Sequence, residues 1–225
     1  MFINTNVNNN IVINNESIEI VEEIKYLGVI LDNKLKFDKH IENTCAKIAK
    51  KLYFFRRIRN KISINCAINI YNVIIKPHFE YCATILFLGS NVMLTRLQKL
   101  QNRGMRIILK CNILTHIRDM LDALRWLSVN QRVKLNVLVF IFRIKNNMLP
   151  RYLSSQIQYV AEVQPYYLRN NQNFRIPFRN TNYAQNTLMH KGLKLFNDLP
   201  TTIKNTVNLK EFKRNVTFYI RENYE

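Results

Sequence analysis

The apolar residues of this chain change period at Phe37, and that change limits the folds open to it. Before Phe37 they come in short β-prone runs: Ile11 to Val21, interrupted by an Asn-Asn-Glu turn, and Ile24 to Asp32. After it, Phe37, Ile41, Cys45, Ile48, Leu52, Phe55 and Ile58 recur at steps of three and four, which draws one apolar stripe along a helix ending near Asn60. Strand-like runs side by side and helical periods thereafter predict an α+β chain, mostly α. A short antiparallel hairpin or strand group comes first, then a helical bundle, then a helical C-terminal region. The opening runs, with KYLGVILD as the third strand and Gly28 at its turn, look like the edge of a sheet.

Further helices follow from caps and breakers. Ser63 is placed to cap a helix carrying Ile64, Ala67, Ile68, Tyr71 and Ile74 on one face. Pro77 should end or kink it, with Lys76 driven out of the helical region. A third helix is expected from about Asn91 to Lys110, and the short connections predict antiparallel neighbours. Asp119 to Leu127 reads as a short helix and turn. Ser128 and Gln131 have capping-box spacing before a helix to Asn147 that is apolar all round at Val137 to Phe142, so it should be buried. Tyr166 to Asn182 reads as an extended segment, and helices over about Gln185 to Leu195 and Leu209 to Arg221 close the chain.

Charge narrows the function. Lys and Arg number 34 against 15 Asp and Glu, a formal net charge of +19, and a globular chain this basic meets a polyanion: nucleic acid first, an anionic membrane surface second. The excess is central, because between Glu80 and Glu162 only Asp119 and Asp122 oppose a dozen cations. Arg96, Lys99, Arg103, Arg106 and Lys110 share one helix face with no acid between Tyr81 and Arg118 to pair with them, the arrangement that phosphate contact requires. Lys47, Lys50, Phe54, Arg57 and Lys61 make a second row opposite the apolar stripe of the first helix. There Phe54 either stacks on a base or packs against a neighbouring helix.

Other chemistry finds little support. His78 with Cys82, and Cys111 with His116, lack the Cys-X-X-Cys spacing that marks zinc sites. The five aspartates, Asp32, Asp38, Asp119, Asp122 and Asp198, include no adjacent pair, and no phosphate loop or nucleophile elbow is present. The N-terminus has neither a basic segment nor an apolar core, and the longest apolar runs fall short of the ~20 residues that cross a bilayer. With four cysteines in no paired pattern, the chain is expected to be intracellular, in nucleus or cytoplasm, not secreted and without a membrane partner.

Seven stretches in order carry a resemblance: KYLGVILDNKLKFDKHI (Lys25 to Ile41), INIYNVIIKPHFEYC (Ile68 to Cys82), LQKLQNRGMRIIL (Leu97 to Leu109), LRWLSVNQRV (Leu124 to Val133), NMLPRYL (Asn147 to Leu153), YYLRNNQNFRIPFRNT (Tyr166 to Thr181) and KGLKLFNDLP (Lys191 to Pro200). Together they resemble the C-terminal part of reverse transcriptases of jockey-like, LINE-type non-LTR retrotransposons. The resemblance implies a residual palm edge over 1–33, a thumb-like bundle over 34–112, post-thumb helices over 113–162, and an extended segment with terminal helices over 163–225. Tyr26, Leu27 and Gly28 would take the primer-grip position, and the two basic rows would hold a template-primer of RNA, DNA or their hybrid. Phe196 stands where the tail motif usually carries Trp, and Cys82 where Gly is frequent.

The family's metal-binding aspartates have no counterpart here. The resemblance implies magnesium only together with the missing palm, so no cofactor and no polymerisation are expected of this chain alone. Two further readings stand beside a polymerase fragment: a host-used, sequence-independent nucleic-acid-binding module, and a non-functional remnant.

Overall fold

The computed structural model describes residues 11–18, 20–163 and 171–223. The chain divides into two compact units, Met1–Arg125 and Trp126–Glu225. It is α+β and mostly helical, and among the described residues its strands lie at the start.

The first unit opens with strands β1 (Ile11–Ile13) and β2 (Glu16–Ile18), paired antiparallel with Ile13 opposite Glu16. The two residues between them, Asn14 and Asn15, have φ of 51° and 63°. Both are left-handed, as a two-residue turn matching strand twist requires, and Asn tolerates that region best after Gly. The run expected to supply a third strand instead folds back on itself. β3 (Glu23–Tyr26) and β4 (Val29–Asp32) are a second hairpin turning at Leu27 (φ 46°) and Gly28 (φ 83°), and the two hairpins form separate two-stranded sheets. Gly28 accepts positive φ freely, whereas Leu27 does not. The Leu27 carbonyl is held by the Tyr81 hydroxyl, which helps keep the turn in place.

Asp32 then organises the crossing into helix. Its carboxylate accepts the backbone N–H groups of Lys34 (3.0 Å), Lys36 (3.1 Å) and Phe37 (2.7 Å). Partial burial would raise its pKa, but these donors together hold it below the ordinary 3.8. Helix α1 (Asp38–Ile58) follows and buries Ile41, Ile48, Leu52 and Phe55 along the expected stripe. His40, also buried, accepts the Ile30 N–H on Nδ1 (3.4 Å) and so ties the second hairpin to α1.

That bond makes stability pH-dependent. Burial, and secondarily the charge of Lys47, lowers the His40 pKa below 6.5, so the unfolded chain takes up a proton before the folded one does. The contribution is complete above pH about 6.5 and is lost as pH falls from there through the lowered folded value. The His78 pKa is lowered by burial and by Lys51 and Lys47 and adds in the same direction. The urea midpoint should therefore drop between pH about 7.5 and about 5. It should drop less in His40→Asn, whose amide oxygen can accept the same N–H; identical pH slopes in the two proteins would exclude His40 as a source.

Helix α2 (Ile64–Ile70) is capped as expected, the Ser63 hydroxyl accepting Cys66 N–H at 3.3 Å. The helix is broken before Pro77 as expected, but Lys76 is not driven out of the helical region. Lys76 stays helical (φ −55°, ψ −38°), and the break is absorbed upstream, where Tyr71–Ile75 widens into a π-turn and Lys76 N–H reaches back to Tyr71 O at 2.9 Å. Pro77 becomes the first residue of α3 (Pro77–Glu80), where its missing N–H costs nothing, and the Ile74 carbonyl accepts from Lys51 Nζ at 3.1 Å. After α4 (Ala83–Leu88), Ser90 caps α5 (Asn91–Leu109); α6 (Ile117–Leu124) completes the unit.

Helices α1 and α5 run in the same direction, not antiparallel. Glu42 meets Arg96 near their beginnings (3.0 Å), and Arg59 meets Ile108 at their ends. Several short helical pieces, α2 to α4 among them, intervene, so the chain is carried back before α5 starts. Arg59, only 7% exposed, donates Nε and Nη2 to Ile108 O (3.0 and 2.7 Å) and Nη1 to Ile62 O (3.0 Å). It thereby satisfies carbonyls at a helix C-terminus, where a cation is also favoured by the dipole.

In the second unit, α7 (Val129–Lys145) begins with the complete capping box: Gln131 N–H to Ser128 Oγ (3.2 Å) and Ser128 N–H to Gln131 Oε1 (2.9 Å). Val137, Leu138, Ile141 and Phe142 are fully buried, whereas Val139 and Phe140 are half-buried, so the helix is not enclosed on every side as its all-round apolarity predicts. Short helices α8 (Arg151–Ser154), α9 (Val160–Val163) and α10 (Asn182–Gln185) follow. The helix expected over Gln185 to Leu195 is a π-turn, Leu188–Gly192, leading into α11 (Leu193–Asn197). Of the extended segment expected at Tyr166 to Asn182, residues 164–170 lie outside those described. Phe174 pairs with Tyr159 in an isolated antiparallel bridge, and the Asn197 amide both accepts from Phe174 N (2.9 Å) and donates to its carbonyl (2.8 Å). Helix α12 (Thr201–Lys204) leads to α13 (Leu209–Asn223), whose Phe212, Val216 and Ile220 are buried.

Candidate nucleic-acid interface

The cations of α5 do not form one uninterrupted row. Arg96 is engaged by Glu42, which the stretch around α5 could not reveal because the partner lies 54 positions away. Lys99 and Arg103 are exposed, whereas Arg106 is half-buried and donates Nη2 to Ile113 O at 3.1 Å. Lys110 leaves the helix in the left-handed region (φ 54°), one residue past the end of α5.

Where α1 and α5 end side by side, Arg103, Arg106 and Lys110 come together with Arg56 and Asn60 around an open trough of about 720 Å³. Its mouth is polar and cationic, and its apolar wall includes Ile107. Arg56 belongs to neither sequence row. Alternate basic residues Arg56 and Arg57 are about 100° apart on a helix, and it is Arg56 that turns toward α5. Arg59 underlies the trough as a structural clamp. Among the described residues, no carboxylate pairs with Arg56, Arg103 or Lys110.

The row on α1 faces elsewhere. Lys47, Lys50, Arg57 and Lys61 are exposed, and Phe54 is 64% exposed, with its ring edge-on to Tyr53 at 5.7 Å. Phe54 is therefore not packed into the helical core. With Arg57 it lines a separate cleft of about 380 Å³ formed with α2 and the π-turn. Helix α1 stands between cleft and trough, so the two rows do not make one continuous strip.

Tyr26, Leu27 and Gly28 form the tip of the second hairpin, with the Tyr26 and Leu27 side chains exposed. A Cβ on Gly28 would lie 3.5 Å from the Tyr81 hydroxyl, so backbone conformation rather than space calls for glycine here. For magnesium of the polymerase type the residues present do not fit: no two aspartates are adjacent, and among the described residues no three His, Cys, Asp or Glu side chains cluster to hold an ion. All four cysteines are unpaired, and Cys111 Sγ lies 3.5 Å from Met120 Sδ. No helix among the described residues is long and apolar enough to cross a membrane.

Comparison with known proteins gives a consistent neighbourhood. Over 90 residues, 39% of its length, the chain is 33% identical to a probable RNA-directed DNA polymerase from transposon X-element of Drosophila melanogaster. It is 34% identical over 88 residues to the RNA-directed DNA polymerase from mobile element jockey of the same species, and 30% over 101 residues to that of Drosophila funebris. These matches cover 37% and 44% of this chain. The chain spans about a tenth of the length of these curated relatives. No family model matches it, and no solved structure matches.

Proposed function

We propose that this chain is a nucleic-acid-binding part of a jockey-like retrotransposon RNA-directed DNA polymerase, holding RNA, DNA or their hybrid by its backbone phosphates in the trough between α1 and α5. What carries the reading is the convergence of Arg56, Arg103 and Lys110 on one open trough, with no carboxylate paired to them among the described residues. Phosphates neutralise such cations and release their counterions, giving affinity without sequence choice. The similarity to transposon polymerases and the net charge of +19 support the same reading. The chain supplies the grip, and the metal-binding carboxylates of polymerisation come from elsewhere.

Fluorescence anisotropy with a labelled RNA–DNA hybrid tests this. Affinity should fall log-linearly with salt. Arg56→Ala combined with Arg103→Ala should weaken binding about tenfold for every sequence and flatten the salt slope by about two. An unchanged slope would remove the trough from the interface. A loss confined to one sequence would mean that these arginines read bases.

A further inference from the structure

The cleft on the other side of α1 has a different chemistry from the trough. Phe54, Ile58, Ile70 and Ile74 make it almost wholly apolar, and the π-turn caused by Pro77 forms one wall. π-turns interrupt helices at functional sites more often than elsewhere. Tyr53, edge-on to Phe54, and Val73, next to Ile74 in the chain, are exposed as well and add apolar surface to that of the cleft. Lys51 anchors the wall through Ile74 O, while Arg57 in the cleft, Lys47 and Lys50 on α1 and Lys61 just past its end form no ion pair among the described residues.

We infer that this cleft docks an amphipathic helical protein segment whose apolar face fills it and whose flanks are acidic. An apolar floor of about 380 Å³ takes one or two large side chains from such a helix, presented at i and i+3 or i+4. The cationic border selects the sign of the flanks and rejects a basic helix. A nucleic acid would find cations here and the rings of Phe54 and Tyr53, but an apolar floor with no polar groups to read it. The site stands on residues separate from the trough, so it does not depend on the trough's reading.

The test uses the full chain and a fluorescein-labelled Leu/Glu amphipathic helix of about 18 residues, with a Leu/Lys helix of the same spacing as the contrast. The Leu/Glu helix should bind and the Leu/Lys helix should not. Ile74→Glu, at a position 46% exposed, should weaken binding at least tenfold, and Phe54→Ser should do so independently. Val207→Glu, the same charge change at an 80% exposed position in the other unit, should leave it intact. Equal losses in Ile74→Glu and Val207→Glu would reduce the effect to net charge and overturn the site, as would absence of binding. Displacement of the peptide by oligothymidylate, with Phe54→Ser weakening the oligonucleotide, would assign the cleft to nucleic acid instead.

Discussion

Phe212→Ala should cost the second unit about 4 kcal/mol, the range found when a buried aromatic is cut to a methyl group. Phe212 is wholly buried in α13 and stacks on Phe142 of α7 with ring centroids 4.1 Å apart; Phe196 of α11 lies 6.1 Å away. Three helices thus meet at one ring. Truncation loses the transfer free energy of the ring and leaves a void between partners that are themselves held, since Phe196 also packs on Phe174 at 5.2 Å. A domain's whole stability is about 5–15 kcal/mol, so the loss should be plain in a urea titration followed by the fluorescence of Trp126, the one tryptophan. Phe212→Leu should recover roughly half. A midpoint corresponding to less than about 1 kcal/mol for the Ala variant would mean that α7, α11 and α13 close over the gap.

Gly104→Ala should destabilise the first unit by about 2 kcal/mol, against the direction that helix propensity alone gives. In the middle of an exposed helix this substitution gains about 1 kcal/mol. Here the new Cβ would lie 2.5 Å from Tyr71 Cε2 and 3.3 Å from Leu52 Cδ2, and Tyr71 is itself buried in the π-turn. The ring cannot retreat without moving α1 or the turn, so the overpacking penalty outweighs the propensity gain. A double-mutant cycle isolates the contact: in a Tyr71→Leu background the cost of Ala should shrink or change sign. An unchanged cost would point to the α5 backbone rather than the ring.

Local signals were legible in the residues and distant ones were not. Ser63 and the Ser128–Gln131 box act within one turn, the stripe of α1 follows from period, and the burial of Val137, Leu138, Ile141 and Phe142 follows from the apolar run around them. The turn at Gly28 is legible, but that Leu27 shares it is not, because Leu is an unlikely residue for positive φ and what holds it is a hydroxyl 54 positions further on. Pro77 announces an end or kink, but not that a wider turn upstream absorbs it, because that remedy leaves no compositional mark. At the candidate interface the sequence supplies the cations of α5 but not their partners from α1. Arg103, Arg106 and Lys110 share a face by their own spacing, but only the parallel packing of α1 and α5 brings in Arg56 and diverts Arg96 to Glu42. The row on α1 is as regular in sequence as that on α5, yet Phe54 and Arg57 border an apolar cleft.

Arg59 gives the trough a property that its surface cations do not. Its guanidinium bonds to carbonyls at the far end of α5 and just beyond α1, so the two walls are joined beneath the opening before any ligand arrives. A polyanion entering it would meet a pre-organised channel and lose affinity only to the freezing of a few long side chains. No wall has to open for it to leave or to advance by one phosphate. Such a channel suits a ligand that must slip past it repeatedly, since each step exchanges one equivalent backbone contact for the next.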